Sequence, residues 1–323
     1  TYDSYMPFED GHASDAAIQP SHSTEPENNT RPIVRFQRLG DLPAAKEVPH
    51  LVKGVLTVGQ PAVLFGRSLT AKSFVAADLG RCVTTGTDWF GRQVLAGCVL
   101  YVPFEGVATF PGRMHAIADR LGDDERGLFA DRFSMLPDPL PLTQKTANQA
   151  VAEIIDNAKA LEDDTGVSCR LIVLDTMFAS MPGMSLNEDA TATHVIDIAK
   201  KVSDATSAVT LFVHHPGHAN QQRMFGSSAS IGGFNSIIRI DTPGANYDKG
   251  IGISPSEARD VILDKYKDGE SDVTIGRFHL KVVEVGRASD GETITSCVVN
   301  PLDAEQGSGR PAAGQKKKRP TGQ

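Results

Sequence analysis

The feature that most constrains this chain is a strand, a tight loop and a helix in direct succession. The apolar run AVLF leads into Gly66-Arg67-Ser68-Leu69-Thr70-Ala71-Lys72-Ser73, and the helical run FVAADLGRCV follows. A loop that opens a helix with Lys-Ser is the context that a phosphate-binding Walker A motif requires. Its N–H groups would cradle phosphates, with Lys72 on the β- and γ-phosphates and the Ser73 hydroxyl on Mg²⁺. A chance junction with an incidental Lys-Ser is the alternative.

One position departs from the motif G-x-x-x-x-G-K-[ST], because Ala71 stands where the second glycine belongs. That glycine commonly has a positive φ angle. We therefore expect alanine to cost about 1–2 kcal/mol there, or to shift the loop slightly. Lys72 is expected at a solvent-facing loop rather than in the core.

Three further polar sites follow apolar runs. Glu105 comes just after CVLYVPF, where a carboxylate can polarise water beside the loop. Asp175 ends RLIVLD, where it would hold a water on Mg²⁺. His214 and His215 end VTLFVHH, and a histidine at a strand tip can report the γ-phosphate to the next loop. Taken singly, a surface glutamate, a turn-capping aspartate and a packed histidine pair are alternatives, but their order along the chain favours one site.

Short apolar runs alternate with helical patterns, which predicts an α/β fold with a mostly parallel, twisted sheet flanked by helices. Strands are predicted at 62–65, 99–103, 171–174 and 209–213, and helices near 72–84, 146–162 and 188–205. From about residue 236 the runs SIIRI, DVILDKY, GRFHLKVVEV and TSCVVN predict an antiparallel extension of the same sheet.

Composition divides the 323 residues into one domain and two tails. Residues 1–32 are polar and poor in aliphatics, and residues 301–323 are rich in Gly, Gln, Lys and Pro, so both are predicted to be disordered tails around a domain of residues 33–300. The basic run at 316–319 is either a solubility tail or an arm that binds phosphates. The net charge of −8 excludes binding of nucleic acid by bulk charge alone. Without a signal-peptide pattern or a long apolar run, we expect a cytoplasmic protein with no membrane partner.

The four cysteines stand far apart, with no C-x-x-C pair that would indicate zinc or a redox dithiol. Cys98 and Cys169 directly precede apolar runs, so we expect them to be buried as small hydrophobes. No function is assigned to any cysteine.

These segments together resemble the RecA-superfamily ATPases, among them the RepA-type hexameric plasmid helicases and related phage proteins. The resemblance spans about residues 47–290. It is carried by HLVKGVL, AKSFVAADL, TTGTDWFGRQV, VLYVPFEG, IVLDTMFASMPG, LFVHHPG, FGSSAS, KYKDG and FHLKVVEVG, which match in order and spacing.

The resemblance implies a RecA-like core that assembles as a homo-oligomer, expected to be a hexamer. It makes Glu105 the catalytic base, Asp175 the Walker B acid and His215 the sensor. It also implies that Lys265 and Lys267 reach the nucleotide of a neighbouring subunit.

A loop facing DNA is implied for Gly226, Ser227 and Ser228. Here the chain departs from the family, which has Gly-Lys in place of Gly217-His218 and Arg-Gly-Ser-Ser in place of 225–228. Arg223, two residues before this segment, is the available substitute for the arginine, although a shifted guanidinium has a different geometry.

The first hypothesis is an enzyme that binds ATP and Mg²⁺ and moves on single-stranded DNA as a ring helicase in plasmid or phage replication. The second is an ATP-switched recombination mediator or loader with weak turnover. A scaffold that keeps only the fold is the third. ATPase activity with and without single-stranded DNA distinguishes the three hypotheses.

Overall fold

The computed structural model describes residues 38–41, 48–185, 188–216, 232–244, 253–267 and 269–302. The chain divides into residues 1–46 and residues 47–323. In the first part the described residues form a short 3-10 turn, Leu39–Asp41. The boundaries of the predicted domain and tails stay predictions, although Pro301 is still paired in the last described strand.

The strands of the described chain are β1 His50–Val52, β2 Leu56–Thr57, β3 Pro61–Gly66, β4 Cys98–Pro103, β5 Phe133–Met135, β6 Cys169–Asp175, β7 Val209–His214, β8 Ser236–Asp241, β9 Ala258–Tyr266, β10 Val273–Arg287 and β11 Thr293–Pro301. The described helices are α1 Lys72–Thr85, α2 Phe110–Ala118, α3 Asp123–Arg132, α4 Ala147–Thr165, α5 Met177–Ser180 and α6 Asp189–Thr206, with a 3-10 turn at Val107–Thr109.

Apart from the small β1–β2 hairpin, the described strands form one sheet in the order β11-β10-β9-β8-β3-β7-β6-β4-β5. From β8 to β5 all neighbouring strands are parallel. The strands β3, β4 and β7 are buried along their whole length, as strands covered on both faces must be. The predicted α/β fold, a mostly parallel sheet flanked by helices, is confirmed.

Alternate residues of each central strand supply two separate cores. Ala62 and Leu64 pack toward α1 and α2, while Val63 and Phe65 pack toward α4 and α6. Each fully buried aliphatic or aromatic side chain contributes about 1.5–3 kcal/mol. Because both faces of the sheet are covered, the ends of the central strands are held in fixed positions, and so are the polar residues at these ends.

The direction of β8 corrects one prediction. The run SIIRI pairs parallel with β3, with Ala62 opposite Ser236, and it is not part of the antiparallel extension. Within the described part of the large sheet, the antiparallel strands are β9, β10 and β11, each antiparallel to the strand before it. The residue types of a strand indicate burial and β-propensity but not whether the strand is parallel or antiparallel to its neighbours. The sequence therefore could not distinguish β8 from the antiparallel strands that follow it.

Helices α2 and α3 were not predicted from the sequence. In α3, DDERGLFADR, only Phe129 is buried, so the run has almost no apolar period to detect. The cysteine prediction holds in the described chain, where Cys98 and Cys169 are buried and no cysteine is in a disulfide. Among the described residues, no helix is both long and apolar enough to cross a membrane.

Candidate active site

The phosphate-loop segment joins the end of β3 to the start of α1. Gly66 is the last residue of β3, and α1 begins at Lys72. A Cβ on Gly66 would lie 2.5 Å from the Ile240 carbonyl oxygen of β8 and 2.9 Å from the Thr70 hydroxyl. The first position of the loop therefore has to be glycine, since the neighbouring strand leaves no room for a side chain.

Ala71 has φ 70° and ψ 23°, the left-handed conformation expected at the position of the missing glycine. Leu69 is also left-handed, with φ 66°, and its side chain is 93% exposed. An alanine or leucine in this region costs on the order of 1 kcal/mol relative to glycine. The loop therefore has the turn of a phosphate cradle with strain at two positions.

Lys72 is buried, which contradicts the expectation of a solvent-facing side chain. Only 3% of the residue is exposed, and Nζ donates a 2.7 Å hydrogen bond to the backbone oxygen of Arg67. The Thr70 hydroxyl donates to the same oxygen at 2.8 Å. Burial lowers the pKa of Lys72 to about 8, against the opposing attraction of Asp175 and Glu105. The hydrogen bond to Arg67 therefore holds the Lys72 side chain within the loop.

Asp175 ends β6 and is buried beside the loop. Its Oδ2 accepts a 2.5 Å hydrogen bond from the Tyr101 hydroxyl of β4, while Oδ1 is buried without a hydrogen-bond partner among the described residues. Burial raises the pKa of Asp175, and hydrogen bonding from Tyr101 and Ser73 and the charges of Arg113 and Lys72 oppose the rise. The Ser73 hydroxyl therefore lies next to this carboxylate.

This pair of oxygens fits a magnesium ion. A buried carboxylate with one unpartnered oxygen, together with a nearby serine hydroxyl, is a hard, oxygen-only donor set, and Mg²⁺ is usually held by few protein ligands together with water and phosphate. Within the described residues, no group of three or more His, Cys, Asp and Glu side chains could hold a metal ion. Ser73 and Asp175 would thus bind Mg²⁺ only together with a phosphate ligand.

Glu105 and His215 lie at the same edge of the sheet, because the parallel strands that precede them end there. The Phe104 N–H donates to the Asp175 backbone oxygen at 2.6 Å, which holds the exposed Glu105 next to the end of β6. His215 directly follows β7. Its pKa is lowered to about 4 by burial and by the charge of Lys72, so the imidazole is neutral at pH 7.

The structure adds two residues to this edge that the sequence analysis missed. Tyr101 contacts Asp175 directly, and Arg113 of α2 places its Cζ 5.0 Å from the centroid of the Phe74 ring. The Arg113 charge opposes the rise in pKa that burial causes at Asp175 and Tyr101. Arg113 lies on a helix that the sequence did not predict. Tyr101 has the pattern of an ordinary strand residue, and the alternation of side chains along VLYVP was the available signal for the face to which its side chain points.

The structure does not bring Lys265 and Lys267 to this edge. Lys265 pairs with Ile237 of β8, and the Lys267 N–H donates to the Asn235 oxygen, whereas Gly66 is level with Ile240. Five residues along a strand correspond to about 16 Å. Lys267 therefore lies at the opposite end of the sheet, beyond the reach of a lysine side chain from the loop of its own subunit.

The implied DNA-facing residues Arg223, Gly226, Ser227 and Ser228 lie outside the described residues, as do Gly217 and His218. Their roles stay predictions.

The fold and the loop are those of a P-loop ATPase domain. The chain belongs to the AAA_25 family of AAA domains, whose match covers residues 26–221. No curated protein sequence matches the chain.

Two solved structures are similar to the chain. A RadB recombinase is 13% identical, with 69% of this chain and 88% of that chain covered and a TM-score of 0.46. A KaiC-like protein from the archaeon Pyrococcus horikoshii OT3 is 16% identical, with 78% and 94% covered and a TM-score of 0.46. The AAA domain is a coarser assignment than the RepA-type helicases that the sequence resembles.

Proposed function

We propose that this protein is an ATP-driven motor that works as a ring of identical subunits on single-stranded DNA. The observation that carries the proposal is the separation of its polar residues onto two ends of one sheet. Lys72, Glu105, Asp175 and His215 lie where the parallel strands end. Lys265 of β9 and Lys267, which directly follows β9, lie toward the other end. A site with parts on both ends is completed only between neighbouring subunits.

The loop end would hold the nucleotide. The N–H groups at the start of α1 would face the phosphates, and the Lys72 ammonium would exchange the Arg67 oxygen for phosphate oxygens. Ser73 and Asp175 would hold Mg²⁺, which when bound neutralises phosphate charge. Every one of these groups is already gathered at one edge, so binding requires little rearrangement of the fold.

Hydrolysis needs a positioned water and charge stabilisation. Glu105 is exposed beside the loop and would orient the attacking water as its general base. Neutral His215 would act as the sensor of the γ-phosphate. Loss of that phosphate would then alter the conformation of residues 217–231, which follow His215 along the chain. Arg113 supplies a cation near Asp175 that can stabilise the transferring phosphoryl group.

The far end of the sheet supports a contribution in trans. Lys267 lines a cavity of about 330 Å³ together with Lys200, Asp204 and the start of β3. Burial and, to a smaller extent, the like charge of Lys267 lower the pKa of Lys265. Such a cluster attracts an anion, and a head-to-tail contact that presents a neighbour's phosphates here would repeat into a ring if the rotation closes. A hexamer follows from the family resemblance.

The second candidate is an ATP-switched recombination mediator or loader with weak turnover. The specific observation that favours it is the loop itself, in which Leu69 and Ala71 both adopt left-handed conformations without glycine. Strained backbone of this kind is commonly found at ligand clamps and switch regions.

ATP hydrolysis measured with and without single-stranded DNA separates the candidates. A helicase is stimulated severalfold by the DNA and unwinds a forked duplex. A mediator hydrolyses ATP slowly, with little stimulation, yet changes its assembly state with a non-hydrolysable analogue. Absence of any nucleotide binding by the folded protein would contradict both.

A further inference from the structure

The side chain of Tyr101 is fully buried on β4, and its hydroxyl has one acceptor among the described residues, Oδ2 of Asp175 at 2.5 Å. The ring packs against Phe110 and Phe133, with centroids 4.6 Å and 6.0 Å away. A phenylalanine would fill this aromatic cluster equally well. A buried hydroxyl without a partner would cost free energy, so this hydroxyl is tolerated because Asp175 accepts its hydrogen bond. Its role is therefore the contact with the carboxylate rather than the packing of the ring.

We propose that Tyr101 is a positioning residue that fixes the Asp175 carboxylate for a magnesium ion. The inference rests on the proposed nucleotide site and adds a residue to it. By donating to Oδ2, the tyrosine holds the carboxylate in one orientation and leaves Oδ1, buried without a hydrogen-bond partner among the described residues, available to a ligand. The Ser73 hydroxyl lies near the same carboxylate. Hydrogen bonds to metal-ligating groups orient the ligand in this way in many metal sites.

The geometry of the strands explains why this residue can act and its neighbours cannot. Tyr101 pairs with Val173 and lies two residues before Pro103, which is level with Asp175. Its side chain points to the α1 face of the sheet, which is also the face of Ser73. Leu100 and Val102 point to the α4 face and have no polar atom to offer.

The test compares Tyr101→Phe with Tyr266→Phe. Tyr266 is also a buried tyrosine, and its hydroxyl bonds to Thr57 and His50, each at 3.1 Å, at the other end of the sheet. Binding of a fluorescent non-hydrolysable ATP analogue is measured as a function of Mg²⁺ concentration and also in EDTA. We expect Tyr101→Phe to need about tenfold more Mg²⁺ for half-maximal tight binding, the usual effect of losing such a support. Its binding in EDTA, and both measurements for Tyr266→Phe, should match the parent.

The same substitution in an Asp175→Asn background shows whether the effect passes through the carboxylate. There, Tyr101→Phe should change the Mg²⁺ requirement by less than about twofold, because coupled residues are not additive. An unchanged Mg²⁺ requirement in the single variant would overturn the proposal, and so would an equal loss of binding in EDTA. A Tyr101→Phe protein that fails to fold would also overturn it, because the hydroxyl would then serve the fold. A parent that binds no analogue at any Mg²⁺ concentration would instead refute the proposed nucleotide site.

Discussion

The Lys72 ammonium donates its hydrogen bond to the backbone oxygen of Arg67, five residues earlier in the same loop, at 2.7 Å. This hydrogen bond holds the Lys72 ammonium inside the loop, where a bound phosphate would lie. This contact explains how a lysine at a helix start is buried without an ion pair in the described chain. A phosphate oxygen, being more negative than a backbone oxygen, would be a stronger acceptor for this ammonium.

Lys72→Ala should weaken MgATP binding at least tenfold while the fold is kept. A hydrogen bond to a charged group is worth about 1.5–3 kcal/mol, and the substitution also removes a buried ammonium whose pKa is lowered. Titration calorimetry with a non-hydrolysable analogue measures the affinity. Lys201→Ala is the matched control, since Lys201 pairs with Asp197 at 2.8 Å on the surface of α6. Equal affinity of a folded Lys72→Ala protein and the parent would contradict the assignment.

Ala71→Gly should change nucleotide affinity little. The left-handed conformation is present in the folded chain itself, so its strain of about 1–2 kcal/mol is a cost of folding rather than of binding. Glycine also loses about 0.4–1 kcal/mol through greater freedom of the unfolded chain. We expect stability within about 1 kcal/mol of the parent and affinity within about threefold.

Chemical denaturation and analogue titration check both numbers for Ala71→Gly. Ala76→Gly, in the interior of α1, should instead lose about 1 kcal/mol of stability. Binding tightened tenfold or more by Ala71→Gly would show that the strain arises only with nucleotide.

His215 should make the protein less stable in acid. Its pKa is about 4 in the folded chain and 6.5 ordinarily, so between these values the unfolded chain binds the proton more strongly. The free energy of unfolding therefore falls as pH drops from about 6.5 to 4, and His215 contributes no pH dependence above that window. In His215→Asn, the slope of the unfolding free energy against pH should decrease by the amount that corresponds to the uptake of up to one proton on unfolding. Denaturant titrations at several pH values measure it, and identical slopes would contradict the lowered pKa.

The edge of the sheet that carries the site was predictable because it follows from short local patterns. Buried runs that end in Glu, Asp and His must present these residues together once the strands are parallel, and Glu105, Asp175 and His215 lie at one edge. The conformation of Ala71 followed from the motif alone. These features need no knowledge of contacts between distant segments.

The features that the sequence did not predict depend on such contacts. The Tyr101 hydroxyl reaches a carboxylate 74 positions away, and Arg113 approaches from a short helix of nine residues. The burial of Lys72 depends on the path of the loop, and the direction of β8 depends on its pairing with β3. None of these relations is encoded in a window of neighbouring residues.

In the proposed ring, Glu105 and the lysine pair Lys265 and Lys267 belong to different halves of one site. Glu105→Gln should bind nucleotide as the parent does and turn over about 100-fold more slowly, because the amide cannot accept a proton. Lys265→Ala/Lys267→Ala should also be slow, since these lysines would act on the nucleotide of the next subunit. Alone, neither variant contains a complete site at any interface.

Mixing the two inactive proteins is the most direct test of this split site. In a mixed ring, some interfaces join an intact Glu105 to the intact lysines of the neighbouring subunit, and the account predicts that ATP hydrolysis recovers with a maximum near equal proportions. Each protein mixed with itself should show no gain. If mixed assemblies form, as seen by exchange of differently labelled subunits, and hydrolysis stays at the level of the separate variants at every ratio, the central claim is wrong.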